Sequence, residues 1–173
     1  MKAQILAVIV ALTLSACGGD SSPIAPSPPQ APPAPSAAAD WTVTQTFVSV
    51  TGPDNCWIRE QRSRWTGAVF ADLPMTVGRS GGVITVDGTF FQVNYTGTFS
   101  GNEFSASGRQ PLEGGGTPCQ DGTSFPQRPG VSNLSGSFSA DDQVMTASEV
   151  NSYTLTSGEP VVYTWAWRAT RRN

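Results

Sequence analysis

The run Val161-Val162-Tyr163-Thr164-Trp165-Ala166-Trp167-Arg168-Ala169-Thr170 decides the fold of this chain. In an extended backbone Val161, Tyr163, Trp165, Trp167 and Ala169 fall on one side, and Thr164, Arg168 and Thr170 on the other. A period of two over ten residues, with the aromatic groups on one face only, is the mark of a half-buried antiparallel strand. The aromatic stripe Tyr163, Trp165, Trp167 reads as core rather than as a ligand platform.

The same period recurs upstream, with Gly, Asn and Asp at the breaks. Strands are predicted over Trp41 to Val50, Pro74 to Arg79, Val83 to Asp87, Phe91 to Ser100, Glu103 to Gly108, Ser132 to Ala140, Val144 to Leu155 and Val161 to Thr170. Gly81-Gly82, Gly101-Asn102 and Asp141-Asp142 mark tight hairpins, and Ser157-Gly158 turns the chain into the last strand. No long helical period is present. Eight strands on short connections predict an all-β, antiparallel up-and-down meander, closed or nearly closed into a barrel. Phe91, Val93, Tyr95 and Phe99 line one side of the fourth strand, and Phe104, Leu134 and Phe138 continue that side. With inward Phe47, Tyr95, Phe99, Phe104, Phe138, Tyr163 and Trp165, the interior is expected to be mostly filled, with at most a shallow pocket at one end.

Two segments interrupt the pattern. Thr51 to Leu73 holds Cys56 and the run Trp57-Ile58-Arg59-Glu60-Gln61-Arg62-Ser63-Arg64-Trp65, and Gln110 to Gly130 is a Gly/Pro-rich loop holding Cys119. Connections this long in a small domain are functional or unstructured. Guanidinium groups between tryptophans can bind carboxylates, phosphates or sugar acids, which makes Trp57, Arg59, Arg62, Arg64 and Trp65 the candidate contact residues for a ligand or partner. The favoured alternative pairs these arginines with Glu60 and nearby acids and uses the tryptophans to plug the barrel end. Glu103 and Glu149 lie on predicted strands and are expected to point outward into water.

The chain has no histidine, which excludes a histidine general base, a histidine metal ligand and the usual catalytic triads. Its carboxylates show no calcium-loop spacing and no catalytic pairing. The chain is therefore expected to be no enzyme and to hold neither metal nor cofactor.

At the N-terminus, Lys2 and the apolar stretch Ile5 to Leu14 lead into Leu14-Ser15-Ala16-Cys17, followed by Gly18-Gly19. The apolar stretch has the length of a signal-peptide core and is too short to span a bilayer. The motif resembles the lipobox of bacterial lipoproteins, which implies removal of residues 1–16 and acylation of Cys17 by palmitate-like chains, a stable membrane anchor. Gly18 after the cysteine implies the outer membrane by similarity to enterobacterial sorting. Removal of Lys2 leaves nine arginines against thirteen acids, a net charge of minus four, which argues against a nucleic-acid partner. From Cys17 to residue 39 the chain is Pro-, Ala- and Ser-rich, with seven prolines, and is expected to be a disordered linker. The folded domain is placed at residues 40–173.

With Cys17 assigned to lipid by that resemblance, Cys56 and Cys119 remain as the sole pair, and an exported protein sits where disulfides persist. In an eight-strand meander the first and fifth connections emerge at one end, so the two cysteines can meet. An additional strand over Thr66 to Ala71 in the simple order would place them at opposite ends. The topology is also similar to that of lipocalins, whose long first loop lies at the open mouth of an eight-stranded barrel. Lipocalins open on Gly-x-Trp packed against an arginine near the chain end. Here Trp41 and Arg168 or Arg171 take those places, while Ala39 replaces the glycine.

Two functions follow as expectations. The first is a tethered, non-enzymatic envelope lipoprotein whose loop-bearing end meets a macromolecular partner or serves a structural role. The alternative is lipocalin-like binding of a small apolar or amphipathic ligand.

Overall fold

Alternation becomes pairing strand by strand in a computed structural model that describes residues 36–88, 93–110, 119 and 121–172. The elements are β1 (Ser36–Thr51), α1 (Cys56–Trp65), β2 (Val69–Ser80), β3 (Val83–Asp87), β4 (Tyr95–Ser100), β5 (Glu103–Arg109), β6 (Gln127–Phe138), β7 (Val144–Leu155) and β8 (Pro160–Arg171). All neighbours are antiparallel, and the eight strands close into one barrel in chain order, with β8 returning to β1. The predicted all-β barrel is thus the observed one. No α-helix among the described residues is long and apolar enough to cross a membrane.

Several boundaries differ from the sequence reading, each for a local reason. β1 begins at Ser36, so four residues expected in the linker belong to the strand, with Ser36 opposite Arg79 and Ala39 opposite Val77 across a register shift. The last proline of that stretch is Pro35, and the alanines after it do not oppose strand pairing. β2 starts at Val69 rather than Pro74. The segment Thr66 to Ala71 is therefore no ninth strand: its end is the first part of β2, joined to the rest through Asp72 in a left-handed conformation (φ 57°), where the β1 register slips between Val43 and Gln45. β6 begins at Gln127, inside the expected fifth loop. Phe91, residues 111–118 of that loop, and Cys17 with nearly all of its linker lie outside the described residues.

Inside Thr51 to Leu73 the structure has a helix that the pattern did not announce. The Asn55 side chain caps α1 by accepting from the Ile58 N–H at 2.8 Å, and Arg62 and Arg64 sit in the last turn, where cations favour the helix dipole. Arg, Glu and Gln favour helix, but ten residues are too few to display a period of 3.6.

The core is the barrel interior, including Trp41, Val43, Phe47, Met75, Ile84, Tyr95, Leu134, Met145, Trp165 and Trp167. Of the seven bulky residues predicted inward, Phe47, Tyr95, Phe104, Phe138 and Trp165 are buried and Phe99 and Tyr163 half-buried. Glycines let the wall curl this tightly. A Cβ on Gly97 or Gly136 would overlap the backbone of the neighbouring strand at Ser105 and Thr146.

The hairpins at Gly81-Gly82, Gly101-Asn102 and Asp141-Asp142 share one end of the barrel with the chain terminus after β8. Gly81 and Gly82 both take positive φ, as a tight two-residue turn requires. At this closed end Asp142 accepts from Arg79 and, at 3.1 Å, from Arg171, and the Arg79 guanidinium lies 4.4 Å from the centre of the Phe138 ring.

Candidate functional site

Seven inward positions on five strands build a polar layer across the middle of the barrel. Period two places Gln45 beside Val43 and Phe47 on the inner face of β1, and Glu149 and Asn151 beside Met145 on that of β7. Ser132 comes from β6, Tyr95 from β4, and Trp165 and Trp167 from β8. Register makes them neighbours: Gln45 is opposite Trp167, Glu149 opposite Trp165, and Asn151 opposite Ser132. Gln45 and Ser132 are fully buried, and Glu149 and Asn151 are each 1% exposed.

Glu149 is therefore not the outward, solvated residue its strand position suggested; only Glu103 is. An acid is by default placed outside, but Glu149 shares the parity of the inward Met145 on β7. In the interior, the Tyr95 hydroxyl donates to Glu149 Oε1 at 2.5 Å and the Trp167 indole N–H donates to Oε2 at 2.9 Å. Burial pushes the Glu149 pKa above the usual carboxylate range, against the pull of hydrogen bonds from Tyr95, Trp167 and Asn151. Burial and the adjacent carboxylate push the Tyr95 phenol far upward, and burial takes Tyr163 to about 12. All these phenols are neutral at physiological pH.

Several polar atoms of the layer are not satisfied by protein, among them those of two amide side chains. Gln45 has no hydrogen-bond partner for either Oε1 or Nε2, and Asn151 has none for Oδ1. Glu149 has no cation: the ion pairs among the described residues are Arg59–Asp54, Arg79–Asp142 and Arg171–Asp142. The result is an interior carboxyl group fed only by neutral donors, in a layer that also holds unpartnered amide oxygens and indole and phenol rings.

The residues singled out from the sequence lie elsewhere, at the open end. Trp57 is buried with its ring edge-on to Tyr163 at 6.4 Å, and Trp65 is half-buried and stacked on Phe70 at 5.7 Å. Both tryptophans cover the barrel end. Their arginines make three separate contacts: Arg59 pairs with Asp54 at 2.9 Å on the surface, Arg62 reaches the Val50 carbonyl at 3.4 Å, and Arg64 lies over Trp65 at 5.1 Å. Asp54, not Glu60, is thus the acid that α1 uses. Cys56 at the start of α1 is bonded to Cys119, with Cα atoms 6.1 Å apart, so the first and fifth connections do share an end. Asp121 lies beside this pair, but the two sulfurs bind each other and leave no thiolate for a metal.

At the closed end Arg171 stands opposite Trp41 in the β1–β8 register. An outer recess of about 410 Å³ is bounded by Asp40, Trp41, Met75, Thr76, Asp87 and Arg172. Gln45, Ser132, Glu149 and Asn151 are the residues that sequence reasoning missed. Their signal was parity: each shares the face of its strand with large apolar residues. No family model, no curated protein and no solved structure matches this chain.

Proposed function

We propose that the chain is a lipid-tethered envelope lipoprotein whose barrel holds one small polar ligand in the layer around Glu149. The observation that carries this reading is the set of unpartnered polar atoms on Gln45 and Asn151, fully enclosed beside a buried carboxyl group. Each buried donor or acceptor left unmade costs about 1–3 kcal/mol, and native interiors satisfy nearly all of them. A ligand that supplies the missing partners removes that cost. An eight-stranded barrel encloses space for side chains and one small molecule at most, which fits a compact ligand sealed beneath α1. The lipocalin-like strand order, with Trp41 facing Arg171, supports the same reading, and the expected apolar or amphipathic ligand becomes one with a polar head.

The tether rests on the motif ending at Cys17. Metabolic labelling with palmitate should mark the wild-type chain and leave Cys17→Ser unlabelled; equal labelling of both removes the anchor reading. Native mass spectrometry of the domain released from its own envelope tests the ligand. A co-purifying small molecule that Gln45→Leu fails to retain is the expected result, and a bare mass for wild type refutes it. A second reading, docking of an acidic envelope partner at the open end, draws on Arg62 and Arg64, which are exposed and form no ion pair among the described residues. Capture of such a partner that is lost in Arg62→Ala/Arg64→Ala would favour it.

A further inference from the structure

The chemistry of the layer narrows the ligand to one class. We infer that the interior site recognises a protonated primary amine, with Glu149 as counter-charge and the Gln45 and Asn151 carbonyl oxygens as its further acceptors. This inference rests on the interior-ligand reading above and sharpens it.

Three observations converge. First, the acceptors suffice in number. A primary ammonium has three N–H donors and no acceptor. The layer offers the Glu149 carboxylate, the unpartnered Gln45 Oε1 and the unpartnered Asn151 Oδ1. Gln45 Nε2 is then left for an oxygen elsewhere on the ligand.

Second, the charge is missing its partner. Burying a carboxylate without a cation is costly, and the three donors that reach Glu149 are all neutral. The titratable groups that interact with it are Tyr95 from β4 and Tyr153 on its own strand, both phenols held neutral, and Tyr163 from β8 lies against Tyr153. The part-buried guanidinium groups of Arg79 and Arg171 are engaged with Asp142 at the closed end. An anionic ligand would find no cation here among the described residues and would be repelled by the ionised Glu149.

Third, the walls are aromatic. Tyr95 meets Trp167 edge-on at 6.0 Å and Phe47 meets Trp165 edge-on at 4.9 Å. Such rings present negative π faces that attract a desolvated cation, and they supply none of the extra oxygen ligands that a hard metal ion requires.

The test compares three small probes of one shape, butylamine, 1-butanol and butyrate, with the disulfide-intact domain. Binding is read by tryptophan fluorescence, for which Trp165 and Trp167 line the site, and by ligand-dependent thermal stabilisation. Butylamine should bind and butyrate should not. Glu149→Gln should weaken butylamine by roughly tenfold to a hundredfold, the loss of one charge-assisted hydrogen bond, and should weaken the uncharged 1-butanol by clearly less. A readout on the wild-type protein alone accompanies this: butylamine affinity should fall about tenfold per pH unit once the pH drops below the Glu149 pKa, because a proton and the amine compete for one carboxylate. Equal binding of 1-butanol and butylamine, or an unchanged affinity in Glu149→Gln, overturns the amine inference. So does failure of butylamine to bind. In each case the interior ligand itself still stands or falls on the mass spectrometry of the envelope-derived domain.

Discussion

Replacing Glu149 with glutamine should change how the stability of the ligand-free domain depends on pH. In the folded chain burial raises the carboxyl pKa above its ordinary value of 4.5. Between that value and the folded one, the folded protein keeps a proton that the unfolded chain has lost. The stability associated with this group is therefore fully present below about pH 4.5, declines as pH rises through the folded pKa, and is level above it. The steepest possible decline is about 1.4 kcal/mol per pH unit, the free energy of one proton per molecule. The chain has no histidine, so no side chain of ordinary pKa titrates between pH 5 and 8 to obscure the slope. Asp121 and Asp141 shift the other way, held low by hydrogen bonds with Thr123 and Ser139, and they act only at more acidic pH. Glutamine also carries one acceptor oxygen where Tyr95 and Trp167 now use two. That mismatch should cost about 1–3 kcal/mol at every pH, so the slope and not the offset is the readout. Urea denaturation followed by tryptophan fluorescence from pH 4.5 to 8, with the disulfide intact, should show wild-type stability falling and the variant's slope reduced. A wild-type curve that is flat or rises over this range refutes the reasoning, as does an equal slope in both proteins.

Trp57→Ala should destabilise the domain by about 3–5 kcal/mol in chemical denaturation, since it empties a buried position beneath α1. Arg64→Ala should change stability by less than about 0.5 kcal/mol in the same assay, because the side chain is exposed. Cys119→Ser should remove about 4 kcal/mol by the chain-entropy relation for a sequence separation of 63, and a reductant should then have no further effect on the denaturation midpoint. Gly136→Val should prevent barrel closure, seen as loss of the far-ultraviolet β signal and of amide-exchange protection in β6 and β7, because its side chain overlaps Thr146 and Ala147.

The sequence shows the barrel clearly because its signal is repetitive. Tight hairpin signals at Gly81-Gly82, Gly101-Asn102 and Asp141-Asp142, with the aromatic alternation of β8, leave little freedom in strand order. Cys56 and Cys119 add a distance restraint that an extra strand over Thr66 to Ala71 would violate. What was not legible has physical causes. α1 is too short to show its period and rests on one cap, Asn55, and on two buried residues, Trp57 and Ile58. The polar layer was hidden by a rule of thumb about charge. Glu149 obeys the parity of Met145, but only the Tyr95 hydroxyl arriving from β4 and the Trp167 N–H from β8 make an inward carboxyl tolerable, and cross-barrel distances are not written in local sequence. The arginine-rich run is conspicuous in the sequence yet spreads into separate surface contacts in the fold.

The seam between β1 and β8 constrains how this protein can be made. Trp41 pairs with Arg171, and the hydrogen bond from Arg172 Nε to Thr42 Oγ1 joins residues 130 positions apart. Loop closure over that span is slow, and it must wait for the last twelve-residue strand. A chain emerging N-terminus first can zip β1 onto β2 and carry on around the wall, while the other edge of β1, rich in Val and Thr, stays open until the very end. During that interval the free edge can accept a strand from another copy as readily as its own. Kinetic competition at this seam, rather than packing of the core, should set the yield of correctly assembled protein.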